Sequence, residues 1–335
     1  MTRSVTVRVP AKINLQLAVG PLRPDGYHDL VTVFHAISLF DEVSVAVADA
    51  APGLEGGDSR ADTPFGPPGA DSVTVAGEGA GEVPADGDNL ALRAVRALRD
   101  AIAGRDAIAG RESAAAPAVR VAIAKKIPVA GGMAGGSADA AAALVACGEL
   151  WGTGLSHAEL SEVAAQVGSD VAFALLGGTA VGRGRGEQLT PALVAPASYQ
   201  WVLAFASGHL STPLVYNTLD AQREGRTVPA PELSHELMGA LRAGDPLRLG
   251  QALSNDLQAP ALALFPALRK TLAAGREAGA LGALVSGSGP TCLFLARDAE
   301  HATDLAVQLS GAGVCRTVAR AAGPASGATV ISAEG

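Results

Sequence analysis

The segment Lys-Ile-Pro-Val-Ala-Gly-Gly-Met-Ala-Gly-Gly-Ser-Ala-Asp-Ala-Ala-Ala-Ala-Leu, running from Lys126 to Leu144, constrains the fold of this chain more than any other stretch. Four glycines, Gly131, Gly132, Gly135 and Gly136, lead directly into an alanine-rich run. Glycine lets backbone amides approach a ligand and adopt positive φ. Alanine is the strongest helix former. A helix start carries unpaired N–H groups and a partial positive charge. A glycine loop feeding such a helix is an anion cradle, and its usual anion is phosphate. Taken alone, the same pattern also describes a plain Gly/Ala turn entering a core helix.

The chain has 335 residues, enough for about two domains and a large core. Its apolar, Gly-rich and aromatic-poor composition fits a globular protein of mixed α and β structure. A net charge of −8 with no basic block argues against a nucleic-acid partner. A small anionic substrate would instead be held by local amides and a few cations. Cys147, Cys292 and Cys315 are far apart and lack metal-ligand spacing. They read as reduced core residues of a cytoplasmic protein. The strand pattern Val5–Val9 opens the chain without a visible signal peptide. No apolar run reaches the ~20 residues of a membrane span, so no membrane partner is expected. Nothing in the sequence specifies an oligomer.

Alternation predicts a strand over Val5–Val9, a second apolar stretch over Ala11–Val19, and two more strands over Leu30–Leu39 and Glu42–Val47. Residues 49–71 and 104–117 have no period and read as loop insertions. A short strand is expected near Val73–Val75 and a helix over Asn89–Ala103. Val119–Ala124 reads as the strand that feeds the glycine loop. Ser137–Leu150 reads as a long helix. Ser156 and Glu159 fit a capping box ahead of the next helix. Val171–Leu176 is an apolar run with no assigned element. A linker near Pro191–Pro196 separates a first domain, residues 1–190, from a second, residues 197–335. In the second, strands near Trp201–Ala206, Ala283–Val285, Thr291–Leu295 and Cys315–Val318 alternate with helices. That alternation favours an α+β sandwich.

No P-loop, dinucleotide fingerprint, metal-ligand cluster or nucleophile elbow is present. Two further elements carry chemistry. In Pro10-Ala-Lys-Ile-Asn-Leu15, Lys12 and Asn14 share one face of an extended strand. Lys12 there either stabilises negative charge on a ligand or is a surface residue of an edge strand. In Gly168-Ser-Asp-Val-Ala-Phe173, Asp170 is either a helix N-cap or a base at a turn.

These elements, in this order, resemble the GHMP kinase superfamily, which has an N-terminal lysine strand, a Pro-x-x-x-Gly-x-x-x-x-Ser phosphate loop and a C-terminal Gly-Ser-Gly motif. Asp25-Gly-Tyr-His28, Gly177-Gly-Thr-Ala180, Gly184-Arg-Gly-Glu187, Asn255-Asp-Leu257 and Ser286-Gly-Ser-Gly-Pro290 extend the likeness. It spans nearly the whole chain outside residues 49–71 and 104–117. The resemblance implies a two-domain α+β fold: a ribosomal S5 domain 2-like N-terminal domain and a ferredoxin-like C-terminal domain, with the site in the cleft between them.

For activity, the resemblance implies phosphoryl transfer from ATP with Mg²⁺ to the 2-hydroxyl of 4-diphosphocytidyl-2-C-methyl-D-erythritol, a step of non-mevalonate isoprenoid synthesis. Sister kinases of homoserine, mevalonate or sugars are the alternative, and Asp25-Gly-Tyr-His28 separates the two. Lys12 and Asp170 would act on the alcohol. Pro128, Val129, Ala130, Gly131, Gly132, Met133, Ala134, Gly135, Gly136 and Ser137 would hold the ATP phosphates, with Asn89 and Lys125 near the adenine. Tyr27 and His28 would read the cytidine, Thr212 and Tyr216 would complete its pocket, and Asn14 would touch the methylerythritol end. On the residues alone, Tyr27 and His28 also fit ordinary turn positions. Asp139 stands where many relatives carry Asn. In the first helical turn it would point away from phosphate or meet Mg²⁺ through water. No acidic metal ligand stands out, and the metal contacts are left unassigned.

Overall fold

A computed structural model describes residues 4–48, 69–109 and 116–334. The first half contains β1 (Ser4–Leu22), β2 (His28–Val47), β3 (Ser72–Gly77), α1 (Leu90–Ile108), β4 (Val119–Lys125), α2 (Gly135–Leu150), α3 (His157–Val167), α4 (Ser169–Leu176), β5 (Thr179–Gly184) and β6 (Gln188–Pro191). The second contains β7 (Tyr199–Phe205), α5 (Thr212–Arg223), α6 (His235–Ala243), α7 (Pro246–Ala252), β8 (Ser254–Asn255), α8 (Gln258–Leu264), α9 (Ala267–Glu277), β9 (Gly282–Val285), β10 (Cys292–Ala296), α10 (Ala299–Gly311), β11 (Thr317–Gly323) and β12 (Thr329–Glu334).

The two stretches expected at Val5–Val9 and Ala11–Val19 are one strand. Pro10 does not end it, because the β1–β2 register slips between Pro10 and Ala11. A bulge is one of the few places where a sheet tolerates proline. The same slip joins Leu30–Leu39 to Glu42–Val47 as the single strand β2. The large sheet runs β12-β1-β2-β4-β3, with β5 on β2 and β8 on β1. Val5, Val7, Val9, Ala11, Ile13 and Leu15 are all fully buried, as are Ala140 to Leu144 of α2. Small alanines let this helix sit closely against its neighbours. They also explain why the helix has apolar residues on all sides, as expected of one buried in a core.

The second sheet has the order β11-β7-β10-β9, all antiparallel. With helices between the strands this is the ferredoxin-like arrangement. One face carries Val202, Ala204, Val285 and Phe294 against Leu268, Leu272, Leu305 and Leu309. The other carries Trp201, Leu203, Leu293 and Leu295 into the main core beside Leu237 and Leu241. Both faces are therefore buried, and the two halves share one hydrophobic interior.

Several expectations need correction. The segment Val171–Leu176 is helical, as part of α4, and lies within the core through Val171, Ala172 and Phe173. Eight residues are too few to display a clear helical period. Helix α1 continues through residues expected to be loop, to Ile108, which is 92% exposed. A solvent-exposed last turn has no apolar stripe to reveal it. Asp71, read as part of an insertion, pairs with Arg99 and accepts the Val119 amide at 2.9 Å, starting β4. Residues 49–68 and 110–115 lie outside the described residues. The chain end does not stay with the second domain: β12 returns to pair with β1. Pairing partners so distant in sequence leave no local signal.

Candidate active site

The strand face that buries Ile13 and Leu15 on one side turns Lys12, Asn14 and Gln16 to the other. These three polar residues are only 9%, 2% and 4% exposed. Each finds partners. Lys12 Nζ donates to Asn14 Oδ1 at 2.9 Å, and Asn14 Nδ2 donates to Thr32 Oγ1 at 2.7 Å. The Thr32 hydroxyl donates in turn to the Gln16 carbonyl at 2.8 Å. The network holds Lys12 over the Phe34 ring, 5.4 Å from its centroid. Lys12 is thus no edge-strand surface residue.

Asp170 is in the first turn of α4, whose N-cap is Gly168. The capping role open to Asp170 in the sequence therefore falls to another residue. Its carboxylate makes no cap hydrogen bond and stands 3.8 Å from Lys12 Nζ, one-third exposed. That distance gives charge attraction without a direct hydrogen bond. Both groups keep capacity for a third oxygen.

The glycine loop closes the opposite wall. Ala130, Gly132 and Ala134 all adopt left-handed φ, and Ala134 caps α2 without a side-chain hydrogen bond. The first amides of α2 are left open toward the cleft. Gly132 is held against the Ser286–Pro290 loop: Ser286 Oγ donates to its carbonyl at 3.0 Å, and an added Cβ would sit 2.1 Å from the Ser286 carbonyl. Asn255 pins that loop in turn, donating to the Val285 and Gly287 carbonyls at 2.8 and 2.7 Å. The Met133 side chain leaves the loop for the core, and its carbonyl accepts from the Lys12 amide.

Three cavities share walls. The central one, about 670 Å³, is lined by Lys12, Asn14, Asp170, Gly131 to Ser137 without Met133, and Gly287 and Ser288. A smaller one of about 280 Å³ holds Asn89, Lys125, Val129 and Asp139, and shares Leu90, Ala130, Gly135 and Gly136 with the centre. A third, about 910 Å³, holds Tyr27 and His28 and shares Leu30, Ser169, Arg185, Thr212, Pro213 and Tyr216 with the centre. The expected site residues thus line one continuous cleft, apart from the buried Met133 and from Pro128, which faces a neighbouring cavity behind the loop.

Asn89 caps α1, accepting from the Ala91 amide at 2.9 Å and donating to the Pro84 carbonyl at 2.7 Å. Lys125 is sealed between two carboxylates, Asp41 Oδ2 at 2.6 Å and Asp139 Oδ2 at 2.7 Å. Burial works against the Lys125 charge, but the Asp139 and Asp41 charges outweigh it and raise its pKa. Asp139 shows the reverse balance. Burial lifts its pKa to about 7 against the pull of Lys125, and the Asp41 charge adds to the rise. Helix α2 begins at Gly135, so Asp139 belongs to the second turn and points at Lys125.

The Tyr27 ring is half-exposed and lies under the Arg185 guanidinium, 4.9 Å away. Tyr216 stacks on His28, with centroids 5.4 Å apart. Burial, then the Asp170 charge, pushes the Tyr216 phenol up to about 12, so it remains a neutral donor. The sequence reading passed over Asp41, Thr32, Ser288 and Asp220. Asp41 carried no clear signal, since it stands beside Glu42 at the junction of two expected strands and only its full burial sets it apart.

A lysine and a carboxylate facing a backbone amide cradle define a phosphotransferase-type cleft, and the comparisons agree. The GHMP kinases N terminal domain family matches residues 89–178, and the GHMP kinases C terminal family matches residues 237–315. The chain belongs to the GHMP kinase family. It is 52% identical to a Mycolicibacterium smegmatis protein named 4-diphosphocytidyl-2-C-methyl-D-erythritol kinase, over 99% of this chain and 94% of that one. A Streptomyces avermitilis protein of the same name is also 52% identical, over 98% of this chain and all of the relative. A crystal structure of 4-(cytidine 5'-diphospho)-2C-methyl-D-erythritol kinase covers 94% of this chain with 30% identity and a TM-score of 0.66. A homoserine kinase from Cytophaga hutchinsonii, at 18% identity and a TM-score of 0.67, shares the fold. Among the described residues no helix is long and apolar enough to cross a membrane.

Proposed function

We propose that this chain transfers the γ-phosphoryl group of ATP to the 2-hydroxyl of 4-diphosphocytidyl-2-C-methyl-D-erythritol, in non-mevalonate isoprenoid synthesis. The observation that carries the reading is the continuity of the cleft. The amide cradle, the Lys12–Asp170 pair and the Tyr27–His28 pocket open into one another through shared walls. A long substrate with a nucleobase at one end and an alcohol at the other matches that layout, and the names of the relatives support it.

Phosphoryl transfer asks mostly for positioning and charge neutralisation. The adenine would enter beside Asn89 and Lys125. The loop amides and the start of α2 would hold the phosphates. Asp170 would accept the proton of the 2-hydroxyl, and Lys12 would stabilise the oxygen as it gains negative charge. Asn14 would fix the alcohol end and stacked aromatics the base.

Mg²⁺ usually binds through one or two carboxylates together with substrate phosphates and water. No group of three or more His, Cys, Asp or Glu residues suited to a metal exists among the described residues. Among the side-chain oxygens that line the central cavity, Ser137 on the phosphate loop and Asp170 would hold such an ion. When bound with the nucleotide, it would supply charge neutralisation at the phosphates.

The test is a coupled ADP-release assay with the cytidine substrate, homoserine, mevalonate and galactose offered in parallel. Turnover confined to the cytidine compound is the expected result. Turnover of a sister substrate in its place would overturn the reading.

A further inference from the structure

The proposed substrate joins its base to its alcohol through a diphosphate, and that group has no partner yet in the cleft. The loop amides and the start of α2 serve the ATP phosphates. Lys12 is engaged by Asn14 and by the reacting oxygen. Carboxylates stand on either side of the path: Asp170 lines the central cavity, and Asp220 lines the cavity that holds Tyr27. A diphosphate that passes from one cavity to the other is repelled from both sides unless a cation stands at the junction.

Of the residues that line both cavities, Arg185 alone is a cation. Lys12 lines only the central cavity, and Arg93 only the outer one. Arg185 occupies the turn between β5 and β6, flanked by Gly184 and Gly186 at φ +69° and +102°. The turn is held from both ends. Gly186 is buried, and a Cβ added to it would lie 3.4 Å from the Phe34 ring and 3.9 Å from Ser169 Cβ. Glu187 Oε2 accepts the Arg185 amide at 2.6 Å. The turn therefore presents Arg185 one residue away from backbone packed beside Ser169, the neighbour of Asp170.

The turn's own carboxylate is spent on a backbone amide. Among the described residues the Arg185 guanidinium has no carboxylate partner, and its contact is with the Tyr27 ring, 4.9 Å away. A cation–π contact steadies an arginine without consuming its N–H donors. Those donors form a planar fork that matches two phosphate oxygens at once.

We propose that Arg185 binds the diphosphate of the substrate, and so fixes how far the alcohol reaches toward Lys12 and Asp170. The proposal rests on the reading of the substrate as a cytidine diphosphate compound. An arginine that only covered Tyr27 would affect ligands with and without phosphate alike.

The experiment measures Kd for cytidine, CMP and CDP in the wild type, Arg185→Leu and Arg185→Lys, with the ATP site filled by a non-hydrolysable ATP analogue. Steady-state kinetics with the cytidine substrate provide the second readout. The wild type should bind CDP more tightly than cytidine. Arg185→Leu should weaken CDP roughly tenfold or more, because a charged hydrogen-bonded pair is lost, and leave cytidine unchanged. Arg185→Lys keeps the charge without the fork and should recover part of the loss. KM for the cytidine substrate should rise in step with the CDP Kd while kcat holds, as for an interaction made equally before and during transfer. An equal loss for cytidine and CDP, or an unchanged CDP affinity in Arg185→Leu, would overturn the role of Arg185 alone. A wild type that binds neither cytidine nor CDP and does not turn over the cytidine substrate would overturn the underlying reading as well.

Discussion

Lys12 Nζ stands 3.8 Å from Asp170 Oδ2, inside ion-pair range yet beyond hydrogen-bond reach. A closer pair would satisfy itself. This one leaves both groups available to an oxygen placed between them. Asp170→Asn keeps the shape and removes the proton acceptor. We expect kcat to fall by roughly 10²–10⁴-fold with KM for ATP little changed. Lys12→Met should act similarly, and the double variant should lose little more, because groups acting as a unit are not additive. Thermal melting should barely move for Asp170→Asn, since a carboxylate in a first helical turn contributes only about 0.3–1 kcal/mol. Retention of half the wild-type kcat by either single variant would remove the pair from the chemistry.

The tightest backbone contact in the site is that of Gly132 with the Ser286–Pro290 loop. An alanine Cβ there would meet the Ser286 carbonyl oxygen at 2.1 Å and the Gly289 amide at 3.0 Å, at a φ of +72°. Gly178 provides the control, with φ +65° and nothing within 4 Å of the added carbon. Gly178→Ala should cost about 1–2 kcal/mol from the left-handed conformation alone. Gly132→Ala should cost more, because backbone must move, and it should also raise KM for ATP. Equal melting temperatures for the two variants would show that the contact between the loops is slack.

How much of this was legible in the sequence depends on where the signal resides. The glycine loop was readable because glycine and alanine report backbone conformation directly. The capping box at Ser156 and Glu159 forms as the spacing indicates. Lys12 and Asn14 could be put on one strand face, but not in the interior, because burial of Lys12 depends on Phe34 and Asp170 from other elements. β12 was invisible, its six residues all exposed and paired with a strand at the opposite end of the chain. The Lys125 pairing was equally hidden, since Asp41 comes from β2 and Asp139 from α2.

Asn255 illustrates a motif whose structural work is plain only in three dimensions. Its amide donates to the Val285 and Gly287 carbonyls, and its oxygen accepts from the Leu257 amide at 2.9 Å. Asn255→Ala leaves two carbonyls and an amide without partners, which should cost roughly 1–3 kcal/mol. The loop it pins braces Gly132, so KM for ATP should rise together with the loss of stability. Asn255→Asp keeps the acceptor but places a carboxylate against two carbonyl oxygens, and it should be the worse of the two. If the aspartate variant melted at the wild-type temperature, the assigned donor role would be wrong.

The Lys125 cluster buries two carboxylates around one ammonium, and this imbalance should appear as a pH dependence of stability. Asp139 titrates at about 7 in the folded chain, against an ordinary 3.8, chiefly because it is buried. The folded state therefore holds a proton that the unfolded chain has already released. The stability linked to that proton is complete below pH ~4 and is lost as pH rises through about 7. Asp139→Asn removes the titration. Relative to this variant, the wild type should lose melting temperature between pH 5 and pH 8 and run parallel to it above. Lys125→Met tests the other side of the balance. With no cation between the two carboxylates it should be destabilised by about 3–5 kcal/mol at pH 8, and by less at pH 5, where a proton on Asp139 relieves the repulsion. Melting curves that stay parallel for wild type and Asp139→Asn across this range would mean that Lys125 neutralises Asp139 fully, leaving Asp41 to the backbone amides of Lys126 and Ile127 that it already accepts from.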